Sequence, residues 1–241
     1  MSRRKRTQKA PTPKDNTIQF NEFVKKKQTV QMIPRSLNQE EYIDNLLNDE
    51  KLMVFATGPA GTGKTLLAVM AAIKAFKEGK VEKIVVTRPA VGVDDEKHGF
   101  LPGDLNAKMA PWTRPIFDVL EEYYSTKTIE GFIKENIIEI SPLAFMRGRT
   151  FKNAYIVADE MQNATPNQMK MLLTRLGEGS MMAVTGDIRQ ADRRDNDNGL
   201  LDFKTLLSNF SNSQYIAITE FANKDIERHP AVKEVLSIYG E

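Results

Sequence analysis

The 241-residue chain contains no cysteine and only two histidines. Without cysteine it cannot form disulfides, zinc–thiolate sites or a thiol nucleophile, and this lack is typical of a reducing cytoplasm. No apolar stretch approaches the roughly 20 residues that a membrane-spanning helix needs, and no apolar segment follows the basic N-terminus as it would in a secretory signal. These absences predict a soluble cytoplasmic protein with no membrane association, held together by its own hydrophobic core.

Positive charge is concentrated at the N-terminus. Residues 1–36 contain ten Lys and Arg residues and only two acidic ones, which leaves 24 basic and 30 acidic residues, a net charge of −6, in the remaining chain. The segment MSRRKRTQKAPTPKD is polar, contains prolines and has no apolar periodicity, so we predict a basic, disordered arm over 1–36. Such an arm suits contact with phosphate groups, but the same composition fits a solubilising tail.

From about residue 37, short apolar runs alternate with helical patterns. Strands are predicted over 52–57, 83–87, 137–141, 155–158, 181–184 and 215–219. Helices are predicted over 64–76, 116–124, 129–135 and 225–239, and another begins at the capping box of Thr165 and Gln168. This alternation predicts an α/β fold with a mainly parallel sheet flanked by helices, in one domain over 37–241. In such sheets, ligands bind at the carboxyl ends of the strands.

The first strand runs into GPAGTGKT, which matches the phosphate-loop pattern G-x-x-x-x-G-K-S/T between a strand and a helix. Its glycines allow backbone N–H groups to surround phosphate oxygens, and the helix N-terminus adds a positive dipole end. Lys64 suits the β- and γ-phosphates, and the Thr65 hydroxyl suits Mg²⁺. The predicted nucleotide-binding residues are Gly58, Pro59, Ala60, Gly61, Thr62, Gly63, Lys64 and Thr65.

Two other strand ends carry polar side chains suited to phosphate chemistry. YIVADE ends in Asp159, which suits the Mg²⁺ shell, and Glu160, which suits activation of the attacking water; a solvated helix start is the alternative. In AVTGDIRQ, Gln190 follows the strand, where an amide suits a γ-phosphate sensor and a polar turn is the alternative. We predict that Lys64, Asp159 and Gln190 line one nucleotide site.

Several segments in order, GPAGTGKT, Thr87-Arg88-Pro89, PLAFMRGRTF, ADEMQN, TGDIRQAD and DIERHPAV, resemble the PhoH family of ATPases. The resemblance covers the chain from about Leu37 and is to the compact bacterial or phage forms. It implies a P-loop NTPase fold with a RecA-like core, similar to the first domain of superfamily 1 helicases. It also implies ATP and Mg²⁺ as cofactors, RNA or single-stranded nucleic acid as partner, and a ring-like homo-oligomer such as a hexamer.

The resemblance also implies roles for individual residues. Gln39 matches a glutamine that reads adenine, and Arg228 matches a terminal arginine suited to an arginine finger. The plain alternatives are a surface residue at a helix start and a salt-bridging residue. The candidates for phosphate or nucleic-acid contact are Arg147 and Arg149, for which a solvated loop is the alternative, and Arg88, Lys97 and His98 are weaker ones.

The length of the chain bears on the arginine finger. Only one such domain fits between Leu37 and Glu241, so a finger has to come from the same domain or from a neighbouring copy. Our hypothesis from the sequence is a homo-oligomer in which Arg228 acts in trans.

Three functions fit the sequence. The leading interpretation is an ATPase that couples hydrolysis to nucleic-acid binding or remodelling, with helicase activity as an open possibility. The alternatives are a nucleotide-gated interaction module with slow turnover and a P-loop kinase acting on a small molecule. Glu160 beside Asp159, together with Gln190, favours activation of water over the kinase.

Overall fold

The computed structural model describes residues 29–89, 105–191, 198–210 and 212–239. Residues 1–28 of the predicted arm, and the segment 90–104 that contains Lys97 and His98, lie outside these ranges. The strands are β1 (Met53–Thr57), β2 (Lys83–Thr87), β3 (Ile138–Ile140), β4 (Ala154–Ala158), β5 (Met181–Gly186) and β6 (Ile216–Glu220). The helices are α1 (Leu37–Leu47), α2 (Lys64–Lys77), α3 (Leu105–Tyr123), α4 (Thr126–Lys134), α5 (Pro166–Leu173), α6 (Gly199–Ser208) and α7 (Pro230–Tyr239).

The six strands form one sheet in the order β3-β2-β4-β5-β1-β6, and every pairing is parallel. Both faces of the sheet are covered, which is why the strands read as continuous apolar runs rather than as alternating ones. Val54 and Ala56 of β1 pack in one core cluster together with α1 to α4, whereas Phe55 packs in the other with α5 and α6. The predicted α/β architecture, with helices on both faces of a parallel sheet, is confirmed.

Local sequence signals explain several helix ends. The side chain of Ser36 caps α1 by accepting a hydrogen bond from the backbone N–H of Gln39. At α5, Thr165 and Gln168 exchange the two hydrogen bonds of the predicted capping box, and Pro166 occupies the first helical turn. None of the helices in the described ranges combines the length and the apolarity needed to cross a bilayer.

Two helix predictions needed correction, and one helix was missed. The helix predicted over 116–124 is the end of α3, which begins at Leu105 and includes Pro111 and Pro115. Interior prolines remove a backbone donor and crowd the preceding turn, so they hide the first part of α3 from pattern analysis. The helix predicted over 225–239 begins only at Pro230, after a short 3₁₀ turn. α6, which is capped by Asn198, was not predicted.

Arg149, a predicted nucleic-acid contact, takes part in a cluster at the edge of the sheet. Its guanidinium donates hydrogen bonds to both carboxylate oxygens of Glu139 and lies 4.5 Å from the ring centroid of Phe151. Lys83 Nζ donates to the same carboxylate at 2.7 Å. Burial raises the pKa of Glu139, but the hydrogen bonds from Arg149 and Lys83 outweigh burial and leave this pKa below its ordinary value. Arg149 therefore has a structural role here, and its contact with nucleic acid stays a prediction.

We expect the Glu139 cluster to make stability depend on pH. A carboxylate whose pKa is lower in the folded state stabilises the fold above its unfolded pKa, and this contribution is lost as the pH falls through the folded value. At neutral pH, Glu139→Gln should reduce the free energy of unfolding by about 1–3 kcal/mol, the usual contribution of charge-assisted hydrogen bonds. Urea denaturation of both proteins should show this difference shrinking in acid. A difference that does not vary with pH would contradict the pairing.

Candidate functional site

The carboxyl ends of β4, β5 and β1 lie side by side in the sheet, and a cavity of about 290 Å³ opens there. Lys64, Asp159 and Gln190, which the sequence assigns to three separate strand ends, all line this cavity. The other lining residues are Ala60, Gly61, Gly63, Thr65, Leu66, Glu160, Gly186 and Asp187. The structure therefore brings the predicted phosphate loop, acidic pair and amide together around one space.

The lysine of the phosphate loop, Lys64, is hydrogen-bonded to the backbone of the loop itself. α2 begins at Lys64, directly after Gly63, whose φ of 82° is in the left-handed region that favours glycine. Lys64 Nζ donates hydrogen bonds to the carbonyl oxygens of Gly58 and Pro59, both at 2.7 Å. Burial lowers the pKa of this lysine, while the charges of Asp187, Asp159 and Glu160 oppose that shift. A cation is thus held next to the start of α2, where the helix dipole also favours an anion.

A second cavity, of about 460 Å³, adjoins the outer side of the loop and shares Gly61, Gly63 and Leu66 with the first. Gln39 lines it and is buried. The Gln39 amide accepts a hydrogen bond from the backbone N–H of Arg35 at 2.8 Å and donates one to the Thr62 carbonyl at 3.0 Å. Gln39 therefore ties the start of α1 to the phosphate loop, beside a space whose lining mixes polar side chains with the apolar ones of Leu67 and Met70.

Asp159 is the most heavily bonded acid of the site. One carboxylate oxygen, Oδ1, accepts hydrogen bonds from the hydroxyls of Thr65 at 2.7 Å and Thr185 at 2.5 Å. The other, Oδ2, accepts from Arg88 Nε at 3.2 Å and Nη2 at 2.9 Å. The Asp159 side chain is only 5% exposed, so these four donors provide the partners that a buried charge requires.

The oxygen atoms of Thr65 and Asp159 fit a magnesium site in which phosphates of the substrate supply further ligands. Within the described ranges, no group of three or more His, Cys, Asp or Glu side chains could hold a metal by itself. Mg²⁺ commonly takes one or two protein oxygens and completes its shell with water and substrate phosphates. The Thr65 hydroxyl and the Asp159 carboxylate are oxygen ligands of this type at the edge of the cavity.

Glu160 has an unusual backbone and two side-chain partners. Its φ of 54° lies in the left-handed region, which costs on the order of 1–3 kcal/mol for a residue that is not glycine. Its Oε1 accepts a hydrogen bond from Arg88 Nη2 at 3.0 Å, and its Oε2 accepts one from Gln162 Nε2 at 2.5 Å. Strain of this kind persists where surrounding contacts hold it, and both partners do so here.

Gln162 and Thr185 belong to the site although sequence analysis missed them. Gln162 is buried, and its Oε1 accepts a hydrogen bond from the backbone N–H of Asp187 at 3.1 Å. A Cβ on Gly186 would lie 2.7 Å from this oxygen, so a larger residue there would push the Gln162 amide out of its place. Gln162 thus connects the ends of β4 and β5. Both missed residues stand inside quoted motifs, but one sequence does not reveal which side chains turn back toward the acids.

Gln190 and Arg228 approach the phosphate loop from different elements. Gln190 is exposed at the end of a 3₁₀ turn that follows β5 and lines the first cavity. The backbone N–H of Glu227 donates to the Gly61 carbonyl at 2.9 Å. A Cβ on Gly61 would lie 3.1 Å from Arg228 Nε, so this arginine lies against the loop of its own chain. The sequence hypothesis that Arg228 acts on the site of a neighbouring copy stays a prediction.

The three arginines predicted to contact nucleic acid are not equivalent. Arg88 is bound to the acidic pair, and Arg149 is bound to Glu139. Arg147 is exposed, after the 3₁₀ turn Leu143–Met146. Of the three, Arg147 has the environment expected of a residue that contacts an external phosphate.

Comparisons with known proteins find relatives that match most of the chain. A protein-family model described as PhoH-like protein matches residues 31–240. The chain is 44% identical over 208 residues to the PhoH-like protein of Bacillus subtilis (strain 168), covering 86% of this chain and 63% of that protein. It is 40% identical over 195 residues to protein PhoH of Escherichia coli (strain K12), covering 80% of this chain and 54% of that protein. The chain thus spans little more than half the length of these relatives.

Among solved structures, the UvsW helicase from bacteriophage T4 aligns with a TM-score of 0.49 at 13% sequence identity. The alignment covers 84% of this chain and 66% of that one.

Thr185 offers a test of how the buried acid is oriented. Thr185→Val keeps the volume but removes one of the two hydroxyls that donate to Asp159 Oδ1. We expect it to weaken Mg²⁺-dependent nucleotide binding roughly 10- to 100-fold, as is usual when the partner of a metal ligand is lost. Isothermal titration with an ATP analogue measures this, and Thr185→Ser is the control that keeps the hydroxyl. Binding by the valine variant as tight as that of wild type would reduce Thr185 to a packing residue.

Proposed function

The chain belongs to the PhoH-like protein family, and from this membership we propose that it binds ATP with Mg²⁺ and hydrolyses it, coupling hydrolysis to binding or remodelling of RNA or single-stranded nucleic acid. At the coarser level it is a P-loop nucleotide-binding protein of the ATPase type. The observation that carries the proposal is the single cavity lined by Lys64, Thr65, Asp159, Glu160 and Gln190. These residues supply a cation, oxygen ligands, a base and an amide, which is the set that phosphoryl transfer to water requires.

Nucleotide binding follows from the two adjoining cavities. We assign the triphosphate to the first cavity, where Lys64 and the backbone N–H groups of the phosphate loop supply positive charge. The base then occupies the second cavity, beside Gln39 and the apolar side chains of Leu67 and Met70. The Gln39 amide retains one N–H and one lone pair beyond its two observed hydrogen bonds, which are enough to read a base edge.

Thr65 and Asp159 would hold Mg²⁺, which supplies charge neutralisation for the phosphates when it is bound. The hydrogen bond from the Thr65 hydroxyl to Asp159 leaves lone pairs of the hydroxyl oxygen for the metal. Glu160 accepts the proton of the attacking water, and Gln190 orients that water against the terminal phosphate. Lys64 and Arg228 offset the charge that develops on the phosphate oxygens.

A specific observation also supports the second candidate, a nucleotide-gated interaction module with slow turnover. Both carboxylate oxygens of Glu160 accept hydrogen bonds, one from Arg88 and one from Gln162. A base held in this way is a poor proton acceptor until one of these donors leaves. Slow turnover is therefore consistent with the same site.

Self-association is part of the proposal. Val232, Val235 and Ile238 of α7 are 42%, 49% and 77% exposed and recur every third residue, so they form one apolar side of that helix. An exposed apolar strip of this kind supports contact with a second chain. Cytoplasmic location, RNA as the polymer and the number of subunits stay predictions.

Replacing Glu160 separates binding from hydrolysis. We expect Glu160→Gln to keep nucleotide affinity near that of wild type and to lower kcat roughly 10²- to 10⁴-fold, because the amide cannot accept the water proton. Lys64→Ala should abolish both binding and turnover. Phosphate release with and without single-stranded RNA or DNA is the readout. A rate that neither polymer changes would favour the gated module, and loss of affinity in Glu160→Gln would assign that residue to the metal or the fold.

The position of Arg228 changes the expectation about which copy it serves. Because its side chain lies against Gly61 of its own chain, we propose that it acts in cis. Arg228→Ala should lower kcat by roughly 10³-fold or more, as for other arginine fingers. Mixing Arg228→Ala with Lys64→Ala chains should then give no more activity than the two separately. Activity that is highest near equal mixing would show that the finger crosses between chains.

A further inference from the structure

Arg88 joins the two acids of the site. It follows β2 directly, and one guanidinium donates to Asp159 Oδ2 from Nε and Nη2 and to Glu160 Oε1 from Nη2. Its main chain is fixed on both sides, because Thr87 and Pro89 are buried and the Arg88 carbonyl accepts a hydrogen bond from the Leu143 N–H. Only the side chain is therefore able to move without disturbing the sheet.

The acids need a cation in this place. Two neighbouring carboxylates, one of them only 5% exposed, repel each other and lose solvation unless positive charge lies beside them. In an ATPase of this type Mg²⁺ performs that task while nucleotide is bound. Arg88 supplies the same kind of charge to the same two carboxylates through hydrogen bonds of 2.9 Å to Asp159 and 3.0 Å to Glu160.

The hydrogen bonds of Asp159 show which donor has to leave when a metal enters. A carboxylate offers about four lone-pair sites, and Thr65, Thr185 and Arg88 together occupy four. Thr65 is itself a predicted metal ligand, and Thr185 is completely buried within β5. Arg88 is the long side chain of the three and is 20% exposed, so it is the donor best placed to move.

We propose that Arg88 is a positioning residue that balances the charges of Asp159 and Glu160 before magnesium arrives, and that Mg²⁺ entering with the nucleotide displaces it from Asp159. This inference rests on the proposed function, since it assumes a nucleotide site with Mg²⁺ near Asp159. The exchange also acts on Glu160, because the departure of Arg88 frees its Oε1 while Gln162 still holds Oε2. Metal entry and release of the base are then one event.

The environment of Arg88 favours this role over the predicted contact with nucleic acid. An arginine that reads phosphate groups from outside presents its donors to solvent. Two donor nitrogens of Arg88, Nε and Nη2, point instead to Asp159, which is buried, and to Glu160, which lines the nucleotide cavity.

The test compares nucleotide affinity in Mg²⁺ with affinity in EDTA. A fluorescent ATP analogue is titrated into wild type, Arg88→Ala, Arg88→Lys and Arg114→Ala. Arg114 is a matched control, since it is a surface arginine paired with Asp118 and Glu121 on α3. Without Arg88 the two carboxylates repel the triphosphate in EDTA and attract the metal more strongly. We therefore expect the Mg²⁺ enhancement of affinity to be about tenfold larger in Arg88→Ala than in wild type, a typical size for coupling between two ligands.

Two variants keep the result interpretable. Arg88→Lys retains the charge but not the forked donors, so its enhancement should lie between those of wild type and Arg88→Ala. If Arg88→Ala does not fold, the ratio of nucleotide affinity in Mg²⁺ to that in EDTA is compared between Arg88→Lys and wild type instead. As a readout independent of nucleotide, Mg²⁺ alone should raise the melting temperature of Arg88→Ala more than that of wild type.

Each other outcome is informative. An enhancement in both Arg88 variants equal to that of wild type and Arg114→Ala overturns the exchange, while the proposed ATP site stands. Wild-type affinity that is the same in Mg²⁺ and EDTA overturns the proposed metal site and this inference with it.

Discussion

The buried carboxylate of Asp159 is the constraint on which the site depends. A charge in that position has to be neutralised and hydrogen-bonded, and the fold meets this requirement with donors from three separate elements. Thr65 comes from the start of α2, Thr185 from β5 and Arg88 from the end of β2. The hydrogen bonds that Asp159 accepts thereby fix the positions of the phosphate loop, the acidic pair and the neighbouring strand ends relative to one another.

Glu160, the second acid, is held in one specific conformation. Glu160 has a left-handed backbone conformation that a glutamate rarely adopts, and Gln162 holds its side chain from behind. The same glutamine accepts a hydrogen bond from the Asp187 N–H at the neighbouring strand end. One buried side chain, Gln162, is therefore hydrogen-bonded both to Glu160 and to the backbone of Asp187. It connects the proposed base to the segment that carries Gln190.

The sequence predicted the fold and the location of the cavity better than the individual side-chain contacts. The phosphate loop, the parallel sheet and the shared cavity follow from glycine spacing, apolar runs and the rule that ligands bind at the carboxyl ends of strands. The direction of Gln162 and the pairing of Arg88 with two acids were not predictable, because both depend on tertiary distances that leave no periodic signal. The early start of α3 was hidden by Pro111 and Pro115, whereas the copy on which Arg228 acts stays a prediction.

One residue, His229, separates Arg228 from Pro230, the first residue of α7. Arg228 lies against Gly61 at one end of this short connection, and the apolar strip of α7 begins at Val232 on the other. Because a single residue joins the two, a displacement of α7 is expected to displace Arg228 as well. A partner that binds the apolar strip would then also act on the phosphate loop, which Arg228 contacts at Gly61.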